Sequence, residues 1–261
     1  MQIVKTFRPK TLILLAASLA TPLPASADDW DWTLVPYVWG IQVSLDVFAN
    51  DDPVIGADIS FEDLMDKRDF AIQLHLAGQR DKTGVFMDIT YLNIGDKQTT
   101  VANPPLPGDT QVKSDMRTTL FEAGGSYRLS GDTKGLDLLF GARVIDFYLT
   151  LDFALPPPLT GTRRLEGNKT ITDGFVGLRY SATLADRWEF AARADVGAGG
   201  SKSAWNASAY LGYTVGRQQQ NVLLMGYRHL ALELEESAGN GRHLDTDLTF
   251  SGPAVGFAFR F

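Results

Sequence analysis

The stretch GPAVGFAFRF at residues 252–261 decides how the rest of the chain is read. In steps of two, Val255, Phe257, Phe259 and Phe261 form one large apolar row. Gly252, Ala254, Gly256 and Ala258 form a row of small residues that ends on Arg260. A repeat of two is the period of a β-strand, whose successive side chains point to opposite faces. A sheet in water buries its aromatic row in a core. A barrel in lipid turns that row outward and keeps the small and polar row in the lumen, and this is the reading adopted here.

A strand that ends on an aromatic residue, with apolar residues at every second place before it, resembles the C-terminal sorting signal of bacterial outer-membrane barrels. Val255, Phe257, Phe259 and Phe261 are therefore expected to be read by the barrel-assembly machinery. The other end of the chain agrees. Lys5, Arg8 and Lys10 precede the apolar run TLILLAASLA at 11–20, and Ala25-Ser26-Ala27 is a small-x-small site, the layout of a secretory signal peptide. The run is too short to cross a membrane as a helix. Residues 1–27 are expected to be cleaved, leaving 28–261 as the barrel domain.

That cleavage removes three basic residues and no acidic one from a chain whose formal charge is already -7, which argues against a nucleic-acid partner. Zero cysteines exclude a disulfide framework and any thiolate metal site. Nothing in the sequence calls for a cofactor. The 44% of hydrophobic residues is spread in alternation rather than gathered into a helix-length run, as in strands that cross a membrane.

The alternation predicts a closed antiparallel transmembrane β-barrel with ten strands, at 30–47, 69–80, 84–93, 112–129, 136–153, 165–184, 187–199, 203–215, 221–236 and 243–261; shifted boundaries would also accommodate eight or twelve. Short turns at 81–82, 130–135, 185–186 and 216–220 alternate with longer connections at 48–68, 94–111, 154–164 and 237–242. Outer-membrane barrels have short periplasmic turns and longer extracellular loops, so both termini are expected in the periplasm. On the lipid side, Trp30, Trp32, Tyr127, Tyr180, Trp188 and Tyr213, with Tyr91, Trp205 and Tyr227, are expected to form aromatic girdles. In the first long connection, 54–59 can pair back as a hairpin arm, and Ser60-Phe61-Glu62-Asp63 can cap a short helix through Met65. The connection is acidic, but its spacing lacks the ligand ladder of a calcium loop.

Parity also assigns the lumen. A small residue stands two places before an arginine at Ser126-x-Arg128, Gly141-x-Arg143, Gly177-x-Arg179, Ala191-x-Arg193, Gly226-x-Arg228 and Ala258-x-Arg260, leaving room for neighbouring guanidinium groups. Asp88, Glu122, Asp137, Asp173, Glu189 and Asp195 share this inward parity. Two of the arginine repeats extend to Asp-x-x-x-Gly-x-Arg, from Asp137 to Arg143 and from Asp173 to Arg179. A two-residue turn at 81–82 sets His75 opposite Asp88. Closing 130–135 as a turn sets Arg128 opposite Asp137 and Glu122 opposite Arg143, because opposed residues keep a constant sum of positions. The expectation is a narrow, charge-lined, largely filled interior, since a barrel of this size fills with side chains.

The opening Trp-x-Trp-x-x-x-Pro-Tyr-x-Trp at 30–39, Ser60-Phe61-x-Asp63-Leu64, Gly141-Ala142-Arg143, Gly177-Leu178-Arg179, Gly226-Tyr227-Arg228 and the closing Gly252-Pro253 to Arg260-Phe261 resemble a family of small, functionally uncharacterised outer-membrane β-barrel proteins of proteobacteria. The resemblance implies location and fold and brings no catalytic residues. Ten-stranded surface proteases use paired acids facing an Asp-His pair at the barrel rim, and Asp245-x-Asp247 with His229 and His243 is a poor approximation to it. The expected role is structural or surface-interacting, with lipid and lipopolysaccharide as neighbours; a narrow passive channel is the alternative, and an enzyme a remote one. The Pro-rich tips at 104–107 and 156–159 read as stiff turns.

Overall fold

Turn chemistry and alternation produce the hairpins. The tightest turn, at Asp81 and Lys82, joins β4 (Phe70–Arg80) to β5 (Thr83–Val101). Asp81 takes a left-handed φ of 49°, a conformation that Asp tolerates better than most residues. A computed structural model of the chain describes residues 30–49, 52–59, 70–101, 110–155, 161–216, 221–238 and 242–261. The expected leader, the short helix after 60 and both Pro-rich tips lie outside these residues; among the described residues every regular element is a strand.

β1 (Asp31–Trp39) pairs with β4 on one side and with β12 (Arg242–Arg260) on the other. Between them run β5, β6 (Thr110–Ser130), β7 (Leu136–Leu155), β8 (Gly161–Ala185), β9 (Trp188–Gly199), β10 (Ser203–Val215) and β11 (Asn221–Ala238), each antiparallel to the next. The ring therefore closes with ten strands. The first and last strands meet in it, since Phe261 and Trp32 exchange backbone hydrogen bonds of 3.0 and 2.9 Å.

The first strand, expected to be continuous from 30 to 47, breaks after Trp39. It resumes as β2 (Gln42–Ala49), and the far half of β12 pairs with β2 instead of β1. The break is held by close approach. Gly40 donates its N–H to Pro253 O at 2.7 Å, and a Cβ on Gly252 would meet Gly40 O, so only glycine fits at 252. β3 (Asp52–Ile59) then pairs back on β2.

The strands also reach further than expected at the end away from the termini, called the far end. The connections expected at 94–111, 154–164 and 237–242 begin and end as paired ladder, with Val101 opposite Thr110, Leu155 opposite Gly161 and Ala238 opposite Arg242. The 25 residues of β8 greatly exceed the roughly 9–11 that a tilted strand needs to cross a bilayer. Once two strands are in register, adding further pairs costs little, so the hairpins continue beyond the apolar zone.

The surface is inside out relative to a protein in water. Val38, Phe140, Val176, Val196, Met225 and Val255 are 47–60% exposed on the outer face, while Arg143 and Glu122 are fully buried in the lumen. Trp188 and Tyr213 stack edge to face at 5.0 Å near the terminal end, and Trp205 and His229 stack at 4.4 Å towards the far end. Tyr127 and Tyr180 join the first tier. Tyr227 does not join either: it is registered with Ala209, midway along β10 between Tyr213 and Trp205, and so lies in the middle of the apolar band. Beyond the band, the outward residues of β8 turn polar at Thr170, Asn168 and Glu166.

Candidate functional site

The inward side chains sort into three levels. At the terminal end two small ion clusters line an open vestibule. Asp137 accepts hydrogen bonds from Arg128 Nε and, at 3.0 and 2.8 Å, from Arg179 Nε and Nη2. Glu189 accepts from Arg260 Nη1 and Nη2 at 3.1 and 2.5 Å and pairs with Lys134 Nζ at 2.9 Å. These groups border a cavity of about 920 Å³ that opens at the strand ends carrying the termini.

Above the vestibule lies an ionic belt centred on Glu122. Its carboxylate accepts from Arg143 Nε at 2.7 Å, Arg193 Nη1 at 3.0 Å and Arg228 Nη2 at 3.1 Å. Asp195 accepts from Arg143 Nη2 and Arg193 Nε, both at 2.7 Å, and from Asn206 Nδ2 at 2.8 Å. Asp88 meets His75 Nδ1 at 3.2 Å, Tyr37 OH at 2.9 Å and Arg228 Nη1 at 3.2 Å. Arg143, Arg193 and Arg228 thus balance Asp88, Glu122 and Asp195. A buried ion network is tolerable only when such partners are all present.

Two of the repeated glycines, and Gly124 beside them, also lie under aromatic rings. A Cβ on Gly124, Gly141 or Gly226 would meet a carbonyl oxygen of the adjacent strand and then the ring of Phe86, Phe175 or Tyr210 respectively, whereas on Gly177 it would meet Ala194 O and Asp195. The first three therefore make room for aromatic rings from adjacent strands. The rings in turn pack on the guanidinium groups: Arg193 lies 5.4 and 5.1 Å from the Phe86 and Phe175 centroids, and Arg143 lies 5.2 Å from Phe175.

The third level is apolar. Trp39, Ile145, Ile171, Leu230, Leu232 and Phe250 belong to one buried cluster that fills the lumen from the belt towards the far end. Trp39 forms its floor, with its ring 4.8 Å from the Arg228 guanidinium.

The expected pairs therefore fall into place unevenly. His75 stands opposite Asp88, Arg128 opposite Asp137 and Glu122 opposite Arg143. Asp173 is a correction: it accepts hydrogen bonds from Ser201 N at 2.8 Å and Ser201 Oγ at 2.7 Å, while Arg179 turns to Asp137. A carboxylate beside the tight β9–β10 turn finds an unpaired backbone N–H there, so it holds the turn. Of Tyr37, Asn206, Lys134 and Trp39, the first and last stand in the sequence only as part of the opening motif, and the other two carry no motif. Inward parity points to the first, second and fourth, whereas Lys134 sits in a turn, where parity carries no information.

The enzyme-like residues stay apart. His229 is registered with Ser251, six positions along β12 from Asp245, roughly 20 Å of strand. Asp245 faces Glu235.

On the outside of the far extension, Asp247 stands directly between Glu233 and Asp46. Partial burial and then the like charges of Glu233, Asp46 and Asp245 raise its pKa above the ordinary Asp value. A raised folded-state pKa means that the proton binds more tightly in the folded chain, so the stability linked to it is present at low pH and lost as pH rises through the folded value. Asp247→Asn is expected to stabilise the barrel slightly at neutral pH and to leave it unchanged at pH about 3, below the unfolded Asp value. Urea titrations at the two pH values check this, and an equal effect at both would count against repulsion as the cause.

The fold is that of outer-membrane barrels. The outer membrane protease OmpT of Escherichia coli superposes with a TM-score of 0.55 at 9% identity, over 89% of this chain and 97% of that one. At that identity the likeness concerns the fold alone. The transport unit of the autotransporter AIDA-I of Escherichia coli (10% identity, 95% of this chain and 96% of that one, TM-score 0.38) and the toluene transporter TodX of Pseudomonas putida (10%, 90% and 90%, 0.33) are more distant. No protein-family model matches the sequence, and no curated protein matches it significantly.

Proposed function

We propose that the chain is an integral outer-membrane barrel with a sealed lumen, serving the envelope as a structural and surface-interacting element. The carrying observation is the succession of a charge-balanced belt and an apolar plug. Ions cross a pore through continuous polar or hydrated space. Here the plug offers an ion nothing to replace its water, and the belt's carboxylates are all engaged by its arginines, although Arg143 Nη1 and Arg193 Nη2 keep no hydrogen-bond partner. With the lumen shut, the outer wall and the far extension are the surfaces left for interaction. Short turns near the termini favour a periplasmic terminal end, which puts the far extension among lipopolysaccharide.

Single-channel recording of refolded 28–261 in planar bilayers tests this reading. No steady open current is expected; a steady current of porin size would overturn the sealed lumen and favour a passive channel. Location is tested separately. Deleting Phe261 removes the terminal aromatic and its two backbone hydrogen bonds to Trp32. Outer-membrane abundance after fractionation is expected to fall several-fold, and unchanged abundance would count against a sorting role for the closing strand.

A further inference from the structure

The vestibule is a large part of the interior that side chains leave unfilled, and its wall has a definite chemical order. At the mouth, each of the two ion clusters sets two cations on one acid: Arg128 and Arg179 on Asp137, and Arg260 and Lys134 on Glu189. The carboxylates are the more deeply buried members, at 1% and 19% side-chain exposure. Arg179, Lys134 and Arg260 remain 25%, 29% and 38% exposed. Cationic donors therefore face the cavity in front of the acids they pair with. Asp31, Asp81 and Asp132 also border the mouth, at exposed positions where water and salt screen them.

Deeper in, two apolar clusters, Val35 with Leu224 and Phe86 with Leu139, line the cavity as a collar. The ionic belt closes its inner end, with Asp88 already engaged by Arg228, Tyr37 and His75. A volume of about 920 Å³ is within the range of small-molecule sites, which combine apolar walls with a few polar groups that fix orientation.

We propose that the vestibule is a binding site for a small organic anion, with one carboxylate or phosphate head group carried on a short apolar body. The head group sits between Arg179, Lys134 and Arg260, and the apolar body enters the collar. The proposal rests on the sealed-barrel reading, because a through-pore would pass such a molecule instead of holding it.

Calorimetric titration of the refolded barrel in lipid nanodiscs, with empty nanodiscs subtracted, tests it. Octanoate is the probe, octanol the uncharged control, and inorganic phosphate the head group without a body. Octanoate is expected to bind at least about tenfold more tightly than either, the scale of one charge-assisted contact. Arg179→Gln combined with Arg260→Gln should remove that preference. The barrel is expected to tolerate this pair, since Asp137 keeps Arg128 and Glu189 keeps Lys134. Leu224→Phe, which fills the collar and leaves the charges alone, should abolish octanoate binding while the heat-modifiable barrel band persists on gels. No heat above empty nanodiscs, equal binding of octanol, or full binding by both variants overturns the site. Octanoate flux across proteoliposomes with binding retained leaves the site standing and counts against the sealed barrel.

Discussion

Replacing Glu122 with Gln is expected to lower the refolding stability of the barrel by about 3–5 kcal/mol, the cost of leaving buried charges without their partner. The substitution keeps the shape of the side chain and removes only its charge. Glu122 has no solvent exposure and holds Arg143, Arg193 and Arg228 at 2.7, 3.0 and 3.1 Å, so three guanidinium groups lose one anion at once. Arg143→Met removes one of the three and also frees Asp195 from a 2.7 Å contact. The double mutant should recover part of the loss, with a coupling of about 1–3 kcal/mol. Recovery should stay incomplete, because Arg193 and Arg228 still face the missing charge. Urea titrations in lipid vesicles give the four stabilities. Strictly additive losses would mean that Glu122 and Arg143 do not interact, and the β6–β7 register would have to be abandoned.

Trp39→Ala is expected to cost a similar amount, about 3–5 kcal/mol, through a large cavity in a packed core. Trp39 is 2% exposed at the junction of belt and plug, where one ring face lies over Arg228 and the rest of the side chain packs in the apolar cluster. Truncation therefore removes both the floor of the plug and a cation–π contact of about 0.5–2 kcal/mol. Its backbone N–H, which donates to Gln73 Oε1, is untouched by the change. The same titration on Trp205→Ala provides the contrast. That ring is 47% exposed on the outer wall, so its loss leaves no internal cavity and should be much the smaller. Equal losses at the two positions would overturn the account of Trp39 as a core residue.

Local rules carried the reading from sequence a long way, because strand period and turn length act between neighbours. The two-residue turn at Asp81 alone sets His75 opposite Asp88, and the short turn after Ser130 sets Glu122 opposite Arg143. In each case a one-residue slip would send charges to the apolar face. Leu139, Ile145 and Phe175 share the inward parity of those charges and are buried in the lumen. The ring of ten followed from counting alternating segments between short and long connections.

Tertiary structure alone decided which inward residues share a level and which reach across the lumen. Arg228 on β11 meets Asp88 on β5 and Glu122 on β6, and Arg260 on β12 meets Glu189 on β9. These strands are not neighbours in the ring, so no pairing register connects them; the contacts depend on barrel closure, strand tilt and side-chain reach together. The same holds for Asp173, where the fold of the β9–β10 turn brought Ser201 within 2.7 Å of its carboxylate. Alternation and turn length thus determined the wall of the barrel from the sequence by itself. The three-level interior emerged only on closure, because each level gathers side chains from strands far apart in the chain at heights set by the whole ring.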